Sequence, residues 1–182
     1  MFEALLKQLA GELDRAQIPY MVIGGQAVQL YGEPRMTRDI DLTLGLGSEG
    51  LDRVVDVCSR CGLKPLPSAL VEFVSETMVL PALDERTGIR VDFVFSVTDY
   101  ERQAIGRCRS VELGGVDVHF ATVEDVVIHK LVAGRPRDIE DVRGILAKNS
   151  CLDREYVERW LRAFGRTLDR DISSVFRRLI EP

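Results

Sequence analysis

The stretch that decides the fold runs over residues 20–44, YMVIGGQAVQLYGEPRMTRDIDLTL. It begins with four residues typical of a short apolar strand, and Gly24 and Gly25 then turn the chain into a brief helix. After a turn at Pro34, residues 37–44 alternate between polar and apolar side chains, which predicts a second strand. The unit is therefore a strand, a double glycine, a helix and a strand that carries two acidic residues.

The second of these strands places two carboxylates on one face. Asp39 and Asp41 are two residues apart, so both side chains project to one side while the intervening Ile40 projects to the other. Like charges crowded together repel each other, and a bound cation relieves the repulsion. Hard oxygen ligands of this type suit Mg²⁺ or Mn²⁺. A solvated sheet face is the alternative explanation, and it is the commoner one for an isolated pair.

A third acidic residue lies in the strand predicted at residues 89–95, IRVDFVF. Apolar side chains at alternate positions form one face of this strand, which leaves Arg90 and Asp92 on the other. If this strand lies beside the strand that carries Asp39 and Asp41, Asp92 completes a cluster of three carboxylates. Such a cluster can hold the two metal ions of a phosphoryl displacement. A surface ion pair between Arg90 and Asp92, worth under about 1 kcal/mol, is the alternative.

Together these motifs resemble the signature of the nucleotidyltransferase (polymerase beta-like) superfamily. Gly24-Gly25 is followed by thirteen residues, then by the DIDL motif at Asp39 and Asp41, and later by Asp92. The segments at 31–41 and 124–142 resemble the bacterial branch that contains AbiEii-type toxins and related uncharacterised enzymes. The resemblance covers roughly residues 20–145. It implies that the catalytic and metal-binding residues are Asp39, Asp41 and Asp92.

The resemblance also implies nucleotide binding. Gly24 and Gly25 lack a Cβ, so a triphosphate can approach the backbone, and the start of the following helix presents free N–H groups to an anion. A plain tight turn is the alternative for an isolated double glycine. Thr37 lies on the carboxylate face of its strand, whereas Arg35 and Arg38 are expected to reach a phosphate from a loop. The predicted nucleotide-binding residues are Gly24, Gly25, Thr37, Arg38 and Lys130.

Lys130 lies on the apolar side of the helix predicted from Thr122 to Gly134. A lysine in such a position needs a partner or a route to water. Asp138 faces the same region from the next helix, which begins at Pro136, so a structural pair of Lys130 with Asp138 is one explanation. Contact with a substrate phosphate is the other, and the sequence leaves both open.

The order of the elements predicts an α+β fold. A mixed sheet of about five strands is flanked by helices, and the chain ends in helices. The strands predicted at residues 76–83 and 89–95 are expected to be antiparallel neighbours. We expect a nucleotidyltransferase domain at residues 1–148, with a C-terminal helical extension at residues 149–182 packed on it.

Composition limits the partners and the location. The 182 residues include 24 basic and 29 acidic side chains, so the chain lacks the basic excess typical of nucleic-acid-binding proteins. No stretch predicts a signal peptide or a membrane span, which favours a cytoplasmic protein without a membrane partner. Cys58 and Cys61 form a C-x-x-C motif with no second pair nearby, and we interpret them as apolar helix residues rather than as a redox or zinc site.

The expected activity is transfer of a nucleoside monophosphate from a nucleoside triphosphate to an acceptor hydroxyl, with Mg²⁺ or Mn²⁺ as cofactor. The AbiEii-type resemblance implies RNA or protein as acceptor and an antitoxin as partner, whereas drug modifiers of the same superfamily imply a small molecule. A chain of 182 residues with a net charge of -5 weakens the toxin interpretation. The alternative function is a catalytically silent module of the same fold that binds a nucleotide or a partner.

Overall fold

The strands of this chain form one mixed sheet, and helices precede, separate and follow these strands along the sequence. The computed structural model describes residues 2–34, 36–96 and 98–181. The strands in these ranges are β1 (Tyr20–Ile23), β2 (Asp39–Leu44), β3 (Lys64–Pro65), β4 (Val79–Asp84), β5 (Ile89–Phe95), β6 (Arg109–Leu113) and β7 (Val116–Phe120). The helices are α1 (Phe2–Arg15), α2 (Gly24–Tyr31), α3 (Leu51–Cys61), α4 (Leu70–Thr77), α5 (Asp99–Arg107), α6 (Val123–Ala133), α7 (Pro136–Lys148), α8 (Arg154–Leu168) and α9 (Ile172–Ile180).

The strand order across the sheet is β3-β4-β5-β2-β1-β7-β6. Strand β2 runs parallel to β5 and β1 runs parallel to β7, while the other neighbouring pairs are antiparallel. The predicted α+β class is confirmed, but the described residues form seven strands rather than about five. Part of the difference is β3, which has two residues, one of them Pro65, and therefore no alternation that a sequence pattern could reveal.

The central strands are buried on the face opposite the acidic side chains. Ile40 and Leu42 of β2 and Val91 and Phe93 of β5 have no exposed surface. Each buried side chain of this kind stabilises the fold by about 1.5–3 kcal/mol relative to an exposed one. Because a shift by one residue would expose this whole apolar face, its burial holds the acidic residues on the opposite face.

One strand begins later than the sequence predicts. The pattern over residues 76–83 predicts a strand, but Glu76 and Thr77 end α4, and β4 begins at Val79. Met78 has a φ of 57°, and this left-handed residue ends the helix. A short apolar run is compatible with a helix or a strand, so periodicity could not fix this boundary. The predicted antiparallel pairing of β4 with β5 is confirmed.

Helices α8 and α9 both contact α6. Between α8 and α6, the hydroxyl of Tyr156 donates a hydrogen bond to Oδ1 of Asp125 over 2.8 Å. The division into a domain at residues 1–148 and an extension at residues 149–182 remains a prediction. None of the helices in the described ranges combines the length and the apolar character needed to cross a membrane.

Candidate functional site

Four adjacent strands bring two acidic residues side by side. Asp41 of β2 lies opposite Asp92 of β5 in the parallel pair, and Ile23 of β1 lies opposite Asp41 on its other side. Pro81 of β4 lies opposite Asp92. Neighbouring strands are about 4.8 Å apart, and side chains opposite each other share a face. The two carboxylates of this row are therefore neighbours, which the sequence alone could not establish.

The next row of β2 and β5 adds a third carboxylate and an arginine. Asp39 lies opposite Arg90, and each is two residues from the acidic residue of its own strand, so all four share one face. Nε of Arg90 donates a hydrogen bond to Oδ1 of Asp92 over 2.8 Å. Asp39 is exposed, whereas Asp41 and Asp92 are partly buried. The structure thus brings the three predicted carboxylates together, and it also contains the ion pair of Arg90 with Asp92.

The charge of Asp41 is unfavourable in this environment. Burial raises the pKa of Asp41, and the negative charges of Asp92 and Asp39 raise it further. The positive charges of Lys130 and Arg90 act in the opposite direction. A cation held between the carboxylates would remove the repulsion between like charges. The electrostatics at Asp41 therefore favour a bound cation.

Because Gly24 has no side chain, the side chain of Asp41 can occupy the space beside it. Its φ is 64°, in the left-handed region that favours glycine. A Cβ at this position would collide with Oδ2 of Asp41. Since Ile23 lies opposite Asp41 in the sheet, this close approach occurs where the chain leaves β1 and enters α2. The glycine motif and the carboxylate motif are thus in direct contact.

Both glycines belong to α2, whereas the sequence predicts a turn before that helix. Helix α2 begins at Gly24, Gly25 is buried, and the N-cap residue Ile23 offers no side-chain hydrogen bond to the helix. The left-handed backbone of Gly24 makes the turn within the helix itself. The N–H groups of a first helical turn lack partners inside the helix, so they can bind an anion. This arrangement is compatible with phosphate binding at Gly24 and Gly25.

Thr37 and Arg38 lie in the loop before β2, because the strand begins at Asp39 and not at residue 37 as predicted. The hydroxyl of Thr37 donates to the carbonyl oxygen of Asp39 over 3.3 Å, and Arg38 is exposed. Arg35 lies outside the described residues. Thr37 and Arg38 therefore adjoin the first carboxylate in sequence, in a loop from which side chains can reach a bound phosphate.

Lys130 bridges helices α6 and α7. Its Nζ lies 2.8 Å from Oδ1 of Asp138 and 2.9 Å from Oδ2 of Asp141, and all three side chains are almost fully buried. The predicted pair with Asp138 is present, but sequence reasoning missed Asp141 as a partner. The spacing of three residues between the two aspartates on α7 was the available signal, since it places both on one side of a helix. Lys130 also lies close enough to lower the pKa of Asp41.

The three carboxylates are not arranged as a finished metal centre. Within residues 2–34, 36–96 and 98–181, no group of three or more acidic, histidine or cysteine side chains is placed to hold a metal ion. In addition, Oδ1 of Asp92 accepts the hydrogen bond from Arg90. The donor chemistry nevertheless fits a divalent cation, because Asp39, Asp41 and Asp92 offer hard oxygens on one face. A cation would compete with Arg90 for Asp92.

The site lies within a segment that matches a known protein family. Residues 1–164 match the model of a family described as nucleotidyltransferase of unknown function (DUF6036). This segment contains each of the site residues described above, from Gly24 to Asp141. No curated protein sequence matches the chain.

Solved structures share the fold at low sequence identity. The solution structure of the antibiotic-resistance factor ANT(2'')-Ia matches with a TM-score of 0.62 and 17% identity, covering 92% of this chain and 94% of that chain. The crystal structure of ANT(2'')-Ia with adenylyl-2''-tobramycin gives 0.60 and 19%, covering 91% and 98%. The lincomycin-bound lincosamide antibiotic adenylyltransferase LnuA gives 0.51 and 14%, covering 73% and 89%. At these identities the similarity establishes the fold alone.

Proposed function

Because the chain belongs to the DUF6036 family of nucleotidyltransferases, we propose that it transfers a nucleoside monophosphate from a nucleoside triphosphate to an acceptor hydroxyl. The acceptor oxygen bonds to the α-phosphorus while the bond from that phosphorus to the bridging oxygen breaks. The electron pair leaves with pyrophosphate, and the hydroxyl proton passes to water. The observation that carries the proposal is the register that pairs Asp41 with Asp92, next to the contact of Gly24 with Asp41.

The three carboxylates have distinct roles in this proposal. Asp39 and Asp41 would hold two divalent cations, Mg²⁺ or Mn²⁺, and Asp92 would hold the one nearer the acceptor. Bound cations of this kind lower the pKa of the acceptor hydroxyl and neutralise charge on the leaving oxygen. No nucleophilic side chain is required, because catalysis of phosphoryl transfer depends on positioning and charge neutralisation.

The phosphates are proposed to bind on the β1 side of the carboxylates. Gly24 and Gly25 allow close approach to the backbone, and the N–H groups at the start of α2 donate to phosphate oxygens. Thr37 and Arg38 are proposed to contact the phosphates from the loop before β2. Lys130, whose Nζ lies between Asp138 and Asp141, is proposed to add positive charge near the phosphates.

The proposed acceptor is a small molecule. Two of the structural neighbours are complexes with small molecules: ANT(2'')-Ia with adenylyl-2''-tobramycin, and the lincosamide antibiotic adenylyltransferase LnuA with lincomycin. The net charge of -5 also disfavours an unaided RNA acceptor. The AbiEii-type relationship, with an RNA or protein acceptor and an antitoxin partner, rests on the sequence motifs alone, as does the cytoplasmic location.

A binding module without chemistry is the second candidate function. The observation in its favour is the hydrogen bond that ties Asp92 to Arg90, which leaves the third carboxylate engaged. Such a module would bind a nucleoside triphosphate but would form no pyrophosphate. Retention of Asp39, Asp41 and Asp92 on one face favours the enzyme, because a binding site for an anionic nucleotide has no need of three negative charges.

The test incubates the protein with each of the four nucleoside triphosphates, radioactively labelled at the α-phosphate. The measurement is the transfer of label to hydroxylated small molecules, or to RNA and protein in a cell extract. We expect Mg²⁺- or Mn²⁺-dependent labelling of small molecules and release of pyrophosphate. Asp41→Asn should abolish labelling while the protein stays folded by circular dichroism. Asp117→Asn, an exposed aspartate on β7, is the matched control and should retain activity. Undiminished transfer by Asp41→Asn would refute the mechanism, and nucleotide binding without pyrophosphate release would favour the silent module.

A further inference from the structure

A groove with a volume of about 570 Å³ opens beside β4 and β5. One wall is α4 with the segment before it, and the opposite side is formed by the two strands. Its lining includes Leu66, Glu72, Phe73, Glu76, Pro81 and Arg90. Neither the sequence motifs nor the family assign a role to this groove.

The groove reaches the strand position next to the third carboxylate, Asp92. Pro81 lies opposite Asp92 in the antiparallel pair of β4 with β5, so both are on the same face of the sheet. Arg90 lines the groove and at the same time donates its hydrogen bond to Asp92. Pro81, in the wall of the groove, is therefore one strand spacing, about 4.8 Å, from Asp92.

The order of strands sets the groove on the side of the carboxylates opposite the glycine motif. Across the sheet from β1 to β4, the residues that lie opposite one another are Ile23, Asp41, Asp92 and Pro81, in that order. Gly24 follows Ile23 at one end of this row, and the groove lies at the other. Phosphoryl transfer brings the attacking oxygen in line with the leaving oxygen, from the opposite side of the phosphorus. With the leaving phosphates at Gly24, the attacking hydroxyl enters from the groove.

The charge of the groove is negative. Glu72 and Glu76 are four residues apart on α4, so they lie on the same side of the helix, and both are exposed. In the part of the chain that the structure describes, no ion pair is recorded for either glutamate. Arg90 is the one arginine among the lining residues that the structure describes, and its charge is already offset by Asp92. A phosphate-bearing acceptor would meet like charge here, whereas a cation would meet complementary charge.

The groove also offers apolar surface. Leu66 is 47% exposed and Phe73 is 38% exposed, and both line the groove. Large apolar side chains left in contact with water beside polar groups are typical of ligand-binding surfaces. Their combination with Glu72 and Glu76 suits a molecule that has an apolar ring or chain and a protonated amine.

From these observations we propose that the groove is the acceptor site and that it binds a cationic, hydroxyl-bearing small molecule. The proposal rests on the function proposed above for the order of phosphates, carboxylates and acceptor. The amine of the acceptor contacts Glu72 and Glu76, its apolar part covers Leu66 and Phe73, and its hydroxyl points past Arg90 towards Asp92.

The experiment measures binding to the full chain without metal or nucleotide, so that it does not depend on catalysis. The cationic probes are tobramycin, lincomycin and ethanolamine, the neutral probe is sucrose, and the anionic probe is glucose 6-phosphate, each titrated by calorimetry. We expect at least one amine to bind, more weakly as salt is added. Glu72→Gln/Glu76→Gln should weaken its binding by about fivefold to tenfold, in keeping with two exposed charge contacts. Glu155→Gln, an exposed glutamate on α8, is the matched control and should leave the affinity unchanged.

Three outcomes would overturn the groove as a cation site: no binding by any of the amines, amine binding that is unchanged in Glu72→Gln/Glu76→Gln, or preferential binding of glucose 6-phosphate. Failure of the proposed function is a different result. If glutamate-dependent amine binding is observed but no nucleotide is transferred, the groove proposal holds and the transferase proposal fails. If nucleotide is transferred to an acceptor whose KM is the same in the double variant, the transferase proposal holds and the groove proposal fails.

Discussion

Gly24 and Asp41 constrain each other, and this contact gives a sharp prediction. Gly24→Ala adds a Cβ that collides with Oδ2 of Asp41 and forces a left-handed φ of 64° on alanine. We expect nucleotide transfer to be lost and the free energy of unfolding to fall by about 2–3 kcal/mol. Urea unfolding measures the loss of stability, and the labelling assay with α-labelled nucleoside triphosphates measures the loss of transfer.

Gly88→Ala separates the collision from the backbone strain. Gly88 has a φ of 71°, but a Cβ there would have no atom within 4 Å. This variant should lose only about 1 kcal/mol of unfolding free energy and should retain transfer. Equal stability and equal activity of Gly24→Ala and Gly88→Ala would contradict the role that we assign to the contact between Gly24 and Asp41.

Arg90 is expected to compete with a metal ion for Asp92. Its hydrogen bond to Oδ1 of Asp92 spans 2.8 Å, so a cation at the carboxylates must displace it. We therefore predict that Arg90→Ala binds Mn²⁺ more tightly than the unchanged protein, by about threefold to tenfold. Electron paramagnetic resonance of free Mn²⁺ gives the affinity directly.

Arg86→Ala is the control for the loss of a paired arginine in the same hairpin, because Arg86 pairs with Asp84 and not with the three carboxylates. Its Mn²⁺ affinity should equal that of the unchanged protein. Weaker Mn²⁺ binding in Arg90→Ala would mean that Arg90 orients Asp92 for the metal instead of competing with it.

At the level of helices and strands, the sequence predicted which face of an amphipathic element is buried. It did not predict which elements pack against each other. The alternation in β2 and β5 predicted which face carries Asp39, Asp41 and Asp92, because the apolar residues between them must be buried. The pairing of β2 with β5 depends on long-range contacts that no local pattern encodes. Asp138 could be proposed as a partner of Lys130, but the share of Asp141 in that ion pair was missed, although its spacing of three residues from Asp138 places both on one side of α7.

The contact between α6 and α7 allows the two roles of Lys130 to be separated. Lys130→Met leaves Asp138 and Asp141 buried without this cation, and we expect a loss of about 3–5 kcal/mol in unfolding free energy. Adding Asp138→Asn and Asp141→Asn to Lys130→Met removes the buried negative charges and should restore most of that stability. Urea unfolding of the single and triple variants provides the measurement.

Nucleotide titration of the stable triple variant then decides between the two explanations. A lysine that contacts or neutralises phosphate should leave the triple variant with at least about tenfold weaker nucleotide binding. If Lys130 is only a structural bridge between helices, the triple variant should bind the nucleotide as tightly as the unchanged protein. Asp117→Asn, exposed on β7, again serves as the control for an aspartate substitution.

Across the whole molecule, the sequence predicted the fold class and the candidate carboxylates but not the groove. The α+β class follows from the order of amphipathic elements, which short-range periodicity reveals. The groove requires α4, which the sequence did not predict, since the strand predicted at residues 76–83 took in the last two residues of this helix, Glu76 and Thr77. Its glutamates, Glu72 and Glu76, therefore stood out only when the helix and the sheet edge were brought together.

His129 links the stability of the whole molecule to pH. It lies on α6, its ring is 5.6 Å from that of Tyr100 on α5, and Tyr100 in turn contacts Trp160 and Phe164 of α8. Its Nε2 is buried without a hydrogen-bond partner in the described part of the chain. Burial lowers the pKa of His129 to about 4, an effect that Glu101 opposes and Lys130 reinforces. In the unfolded chain the pKa of this histidine is about 6.5. Between pH 4 and pH 6.5, protons therefore bind preferentially to the unfolded state.

The sign of the pH dependence follows from this difference. The contribution of His129 to stability is complete above pH 6.5 and is lost as the pH falls towards 4, because only the unfolded chain is protonated over that interval. From pH 7 to pH 5 we predict a loss of about 2 kcal/mol in unfolding free energy from this residue. Urea unfolding of His129→Leu over the same interval should lack that loss, whereas His119→Leu, the control for removing a histidine, should retain it. An unchanged pH dependence in His129→Leu would show that His129 is not what couples protonation to the packing of α5, α6 and α8.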